Sequence, residues 1–235
     1  MLAIFKRELR AYFTGVIGYV FLVLYLALAG VIFCYTTLYS MSSDITPFYT
    51  FMMIFSGVML PLLTMKSFSE EKKMKTEALL LTAPVSIPSM VLGKFLASFV
   101  VFAGAEVFTS LYFLFLVPYA KLKFAVLIGN SIALLLVGTV FIAIGLFASS
   151  LTENQLSAAV GTIAIILGFL GIGFLSSLIP TSYAIRYVLD ALSIFTRFQT
   201  FVNGYFDLAS VVYYLSCIAV FLWLTIRVYD RRRFN

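Results

Sequence analysis

Apolar positions gather in six long runs, at about 16–38, 47–65, 90–117, 124–150, 156–178 and 208–226, separated by short polar stretches. A helix needs about 20 mostly apolar residues to cross the roughly 30 Å hydrocarbon core of a bilayer, and the six runs have about that length or more. The pattern predicts an all-α polytopic membrane protein with six transmembrane helices in a single domain over residues 1–235. No stretch is left for a separate soluble domain.

Two polar stretches carry a helical pattern of their own. Over 1–14, Leu2, Phe5, Leu9 and Tyr12/Phe13 share one face, while Lys6, Arg7, Glu8 and Arg10 fall largely on the other. Such a helix can lie in the membrane interface, and a plain basic anchor that fixes topology fits the pattern equally well. The stretch 66–89 predicts a helix over 67–82. Ser67 and Glu70 have capping-box spacing, Glu71/Lys75 and Lys73/Glu77 are i,i+4 charge pairs, and Pro84 disfavours helix just before it. Met74, Ala78 and Leu81 give this helix an apolar stripe, suited either to a partner protein or to the lipid interface.

The other connections are shorter, except for 179–207. There Tyr183, Tyr187, Phe195, Phe198, Phe201, Tyr205 and Phe206 alternate with the sparse charges Arg186, Asp190 and Arg197. This composition suits amphipathic or re-entrant helices at an aromatic-rich interface.

Composition sharpens this picture. The chain is 63% hydrophobic and 11% charged, against roughly 45–50% and 25% in soluble domains. Of the 16 Lys and Arg residues, Lys121, Lys123, Arg186 and Arg197 lie on one side of the predicted spans and all the others on the opposite side, in the terminal segments and around 66–94. The positive-inside bias therefore puts both termini in the cytoplasm. Lys6, Arg7 and Arg10 before an apolar run ending near Ala27-Leu28-Ala29 imitate a signal peptide, but the run continues to Leu38, beyond a 7–15-residue signal core. The segment is expected to remain as the first span. Cys34 and Cys217 fall inside spans and read as small buried hydrophobes.

Several chemistries are excluded. The chain has no histidine, which removes the common zinc ligand and the Ser/His and Cys/His pairs. Asp44, Asp190, Asp207 and Asp230 lie outside the spans or at their ends and cannot form a central carboxylate pair. Glu106 is the one acid near the middle of a span. A charge there costs on the order of 2.5–3.5 kcal/mol on insertion scales, so Glu106 reads either as a pathway residue or as a hydrogen-bonded packing residue. No Lys or Arg is placed to partner it at that depth. The only Gly-Lys pair, Gly93-Lys94, has Pro88 and Phe95 where a phosphate-binding loop needs Gly and Ser/Thr. Any nucleotide chemistry must come from another chain.

Three blocks carry a resemblance: Ser67-Phe68-Ser69-Glu70-Glu71-Lys72-Lys73 through Leu79-Leu80-Leu81-Thr82-Ala83-Pro84-Val85 and on to Leu92-Gly93-Lys94; Gly145-Leu146-Phe147-Ala148-Ser149-Ser150-Leu151-Thr152-Glu153-Asn154-Gln155; and Tyr213-Tyr214-Leu215-Ser216 with Arg231-Arg232-Arg233. Together they resemble the ABC-2 type permeases, the membrane subunits of bacterial ABC exporters, and among them the gliding-motility-associated group. Where that group usually has Gly-Thr, this chain has Lys75-Thr76, and Glu77 follows Thr76 directly with Ala78 in the usual place of the glutamate.

The resemblance implies an elbow helix over 1–14, bearing Lys6, Arg7 and Arg10, and a coupling helix over 67–82. It also implies re-entrant helices in 179–207 and a location in the bacterial cytoplasmic membrane. Expected partners are two ATP-binding subunits, which would hold ATP and Mg, together with a second permease copy or a related permease, and lipid. Nucleic acid is not among them, and no catalytic, metal or cofactor residue is expected in this chain. Contacts to the ATPase subunit fall to Glu70, Glu71, Lys72, Lys73, Thr76, Glu77, Leu79, Leu80, Glu153 and Asn154.

Overall fold

The structure, a computed structural model, describes residues 1–76, 86–116, 118–119, 124–178, 189–204 and 207–234, with backbone alone for 174–178 and 233–234. All regular elements among these residues are helical. An N-terminal helix α1 (Leu2–Thr14) is followed by α2 (Val16–Phe33), which runs on through a π-helical turn, Cys34–Tyr39. Next come α3 (Thr46–Thr64), a short α4 (Lys66–Lys73), and α5 (Ile87–Ser110), whose C-terminal end tightens to a 3-10 turn, Leu111–Leu116. The chain continues with α6 (Phe124–Leu151), α7 (Gln155–Leu178), a short α8 (Ile194–Val202) and α9 (Leu208–Phe234).

Six of these helical stretches are long and apolar enough to cross a membrane, as the hydropathy runs require. The last helix extends beyond the predicted 208–226 because Arg227 to Arg232 continue it past the apolar run.

Burial separates the centre of the bundle from its rim. The apolar stretch of α6 is 72% buried, compared with 22% for α7 and 28% for α9. α6 packs against α3, α5, α7, α8 and α9, so it is the helix around which the others assemble. The outward faces of α7 and α9, with Val160, Leu167, Val212 and Trp223, are apolar and exposed, as helices solvated by lipid require. Cys34 is exposed and Cys217 half-buried, which corrects the expectation that both would be buried. They fall on outward faces of their helices, where lipid-facing positions are as apolar as core positions and hydropathy cannot tell the two apart.

Ahead of the last span, α8 is capped by Ser193, whose hydroxyl accepts from Thr196 N at 3.1 Å. Its buried residues Ile194, Phe198, Phe201 and Val202 pack the helix against α6 and α7. The remainder of the predicted re-entrant region, 179–188, lies outside the described residues.

Candidate functional site

At one end of the bundle the chain's charged elements converge. α1 and α2 are joined by a single residue, Gly15, in extended conformation. The fold back is tight: a Cβ at Gly18 would sit 2.2 Å from the Tyr12 carbonyl oxygen, closer than any atom can approach. α1 then lies across the start of α5. Gly93 admits it, since a Cβ there would come within 3.0 Å of Ile4, which is buried. The Tyr12 hydroxyl donates to Leu63 O at 3.2 Å and shares a 2.9 Å hydrogen bond with Ser98. The face of α1 turned to the bundle therefore carries Ile4, Glu8 and Tyr12. Sequence periodicity had grouped Glu8 with the outward charges, and the structure corrects this.

Glu8 turns inward because of Lys94. This lysine sits two turns into α5, is 1% exposed, and fills its three donor positions. Its ammonium donates to Glu8 Oε1 at 3.2 Å, to Glu71 Oε1 at 2.9 Å and to Ser67 O at 2.7 Å. It also stands 5.0 Å from the centroid of the Phe68 ring, a cation–π approach on a desolvated face. Arg7 closes the cluster from outside, at 2.6 Å from Glu8 and 3.0 Å from Glu71. Burial acts to lower the Arg7 guanidinium, but the two carboxylates outweigh it and hold it above the ordinary arginine value. One buried cation thus fastens α1, α4 and α5 together. Lys94 and Glu8 were not among the expected site residues.

α4 is built differently from the expected capping-box helix. The backbone passes from α3 through Met65 in right-handed helical conformation, and no side chain of α4 caps its start. The cap comes from α6. Ser149 Oγ accepts from Phe68 N and Ser69 N, both at 3.1 Å, and donates to Met65 O at 3.1 Å. Glu70 pairs with Lys66 at 3.1 Å instead of reaching back to the chain start.

The helix also ends early, at Lys73 rather than 82. Lys75 adopts a left-handed conformation, φ 56°. Thr76 N bonds Glu71 O and Lys75 N bonds Lys72 O, both at 3.0 Å, the paired hydrogen bonds of a Schellman stop. The Glu71/Lys75 pair is therefore not made, and Glu71 turns to Lys94 and Arg7. Residues 77–85, including the expected contacts Glu77, Leu79 and Leu80, lie outside the described residues.

The rest of this end is tied to the same helix. Lys72 is buried and donates to Ser150 O at 2.5 Å, and Arg232 of α9 reaches the same carbonyl at 3.0 Å. The Arg232 guanidinium stands 5.5 Å from the Tyr229 ring, which in turn contacts Phe68 at 4.9 Å. Lys6, Arg10, Lys73, Glu153 and Asn154 are exposed on this end, and Thr76 is half-buried. Both ends of the chain, α4 and the turn after α6 thus share one face of the bundle, as the even number of spans requires.

The description "ABC-2 family transporter protein" belongs to the family model that matches residues 2–234. The chain belongs to the ABC-2 transporter family. No curated protein matches it. As an ABC-2 protein it is a multi-pass membrane component of a transporter, and the converging end carries α1 and α4, which lie in the segments 1–14 and 66–89.

A second polar group of this ABC-2 protein lies inside the bundle. Glu106 is 1% exposed and accepts from Tyr25 at 3.2 Å and Thr109 at 3.1 Å. Its other carboxylate oxygen has no hydrogen-bond partner among the described residues, and the same holds for both polar atoms of buried Asn130. Tyr25 stands 3.4 Å from Ser56, and Ser131 links Tyr49 at 2.8 Å to Ser110 at 3.1 Å. This seam joins the four helices α2, α3, α5 and α6. No cationic side chain bridges to Glu106 among the described residues.

Proposed function

We propose that the chain is the permease subunit of an ATP-driven ABC exporter. In this reading it pairs with itself or a related chain and carries two separate ATP-binding subunits on the face where α1, α4 and both termini meet. The charge bias puts that face in the cytoplasm, of a bacterial cell in this reading, because most of the Lys and Arg residues lie there. The ATP-binding subunits would supply ATP and Mg and perform the hydrolysis.

The observation that carries the reading is the fastening of α4. It is an eight-residue helix held by Lys94 of α5, by Ser149 and Ser150 of α6 and, through Ser150, by Arg232 of α9. A rigid push on α4 cannot be absorbed locally. It displaces the cytoplasmic ends of α1, α5, α6 and α9 together, which is what converting ATPase closure into alternating access requires. Glu70, Lys73, Glu153 and Asn154, on the outer side of this face, are then the surface offered to the ATPase, with Leu79 and Leu80 following in the chain.

Glu70→Lys combined with Leu80→Asp leaves the Lys94 contacts in place and tests the docking face alone. The expected result is a purified complex whose ATP hydrolysis no longer responds to the permease, or a complex that no longer forms. Unchanged permease-dependent ATPase activity in this variant would sink the assignment. The rival reading, a stand-alone channel or ion-coupled carrier using Glu106, draws on that residue's unpartnered oxygen. It predicts transport by the chain alone in liposomes, without any ATPase.

A further inference from the structure

A cleft of about 300 Å³ opens beside the Lys94 cluster, between α1, the start of α2 and α4. Its polar wall holds three cations, Arg7, Lys66 and Lys94, and three carboxylates, Glu8, Glu70 and Glu71. Ala11, Gly15 and Ile17 form an apolar wall at the corner where α1 turns into the first span. From that corner exposed Val16, Tyr19 and Val20 continue down the lipid-facing side of α2. Ser67 also lines the cleft. It is 8% exposed, and its hydroxyl has no hydrogen-bond partner among the described residues, a condition that buried polar groups avoid unless a ligand or water completes them.

We propose that this cleft is a lipid site that takes the phosphoethanolamine headgroup of a membrane phospholipid. It goes beyond the permease reading and is tested on the chain without its ATPase, because Glu70 also lies on the face offered to that subunit. Three features select the ligand. The cleft stands at headgroup depth, where an amphipathic helix meets a span, and the exposed apolar side of α2 offers the acyl chains a path. Its charges balance, so it suits a zwitterion better than a ligand of net charge. The phosphate faces Arg7, whose side chain is 50% exposed, with the buried Ser67 hydroxyl behind it, and the ammonium faces Glu70, whose single ion-pair partner among the described residues is half-exposed Lys66. A primary ammonium brings N–H donors to that carboxylate, whereas a quaternary choline brings none. The volume is at the low end for small-ligand pockets, enough for a headgroup and too small for a large sugar headgroup.

The test uses the full chain in nanodiscs of mixed phosphatidylethanolamine, phosphatidylcholine and phosphatidylglycerol, with retained lipid read by native mass spectrometry. Phosphatidylethanolamine should be retained about tenfold over phosphatidylcholine, the worth of one charge-assisted hydrogen bond. Ala11→Phe, at an exposed position, fills the cleft and should abolish this enrichment. Glu70→Gln should reduce it toward the phosphatidylcholine level, which keeps the test open should Ala11→Phe fail to fold. Equal retention of the three lipids, undiminished enrichment in both variants, or equal occupancy by soluble phosphoethanolamine would overturn the proposal. So would complete loss of bound lipid when the ATPase subunit is added, since the cleft would then be the partner's seat.

Discussion

Replacing Lys94 with Met separates the worth of a buried charge from that of its exposed neighbour. Met nearly conserves the volume of the lysine stem, so packing around Phe68 and Gly93 changes little. What changes is charge. Glu8 and Glu71, with side chains 15% and 19% exposed, lose the cation they share, and Ser67 O loses its donor. Removing one partner of a buried ion cluster costs about 3–5 kcal/mol, because the carboxylates left behind remain desolvated. For a chain of this size, with roughly 2–4 °C of Tm per kcal/mol, the expected fall is about 10 °C.

Arg7 touches the same two carboxylates, but its side chain is 50% exposed. Arg7→Gln should therefore cost about 1 kcal/mol or less. Adding Glu71→Gln to Lys94→Met should recover part of the loss, with a coupling of at least about 1 kcal/mol in the double-mutant cycle. The assay is thermal unfolding of the purified chain in one detergent for the parent and all four variants, Glu71→Gln alone included. A Lys94→Met variant within about 3 °C of the parent, or strict additivity with Glu71→Gln, would refute the claim that this buried cation holds the three helices together.

Three further outcomes follow from the geometry. Ser149→Ala removes the cap from Phe68 N and Ser69 N and should cost about 1–2 kcal/mol, with faster hydrogen exchange confined to the start of α4. Lys75→Gly puts the residue that favours a left-handed helix stop at φ 56° and should stabilise the chain by about 1 kcal/mol, read as a rise in Tm. Asp207 accepts from Ser210 Oγ at 2.6 Å and from Ala209 N and Ser210 N, both at 3.1 Å. The Ser210 hydroxyl, followed by the Ala209 amide, holds its carboxyl below the ordinary aspartate value. The stabilisation is present above the unfolded value near pH 4 and is lost as pH falls through the lower folded value, so the start of α9 should exchange amide hydrogens faster only under acid conditions.

The spans were legible because they need only length and hydropathy, and α1 because its pattern is amphipathic. The centre of the site was not legible. A lysine four residues into an apolar run reads locally as the flank of a loop. The groups that neutralise it, Glu8 and Glu71, lie 86 and 23 residues away in the chain. The start of α4 misled for the same reason. Ser67 and Glu70 have the spacing of a capping box, but the chain enters α4 already helical, and the free amides meet a serine 80 residues further on.

The early stop of α4 did leave a signal. Lys75 stands where the resemblance leads one to expect glycine, the residue that most readily adopts the left-handed conformation Lys75 has here, so that departure could have been read as a helix end rather than as an altered contact. Glu8 could have been found from the i,i+4 stripe Ile4, Glu8, Tyr12, had a carboxylate been admitted to the inner face of α1.

The borrowed cap on α4 also bears on the order of assembly during synthesis. Residues 66–73 leave the ribosome before Lys94, and well before Ser149, which closes the first turn of α4 from the far end of the fourth span. Until that span is inserted, the helix lacks its cap and the Ser150 carbonyl that holds Lys72. A chain stalled or truncated between Lys94 and Ser149 would thus present α4 tied to α1 and α5 but uncapped, and completion of its first turn would report that the first four spans are in place.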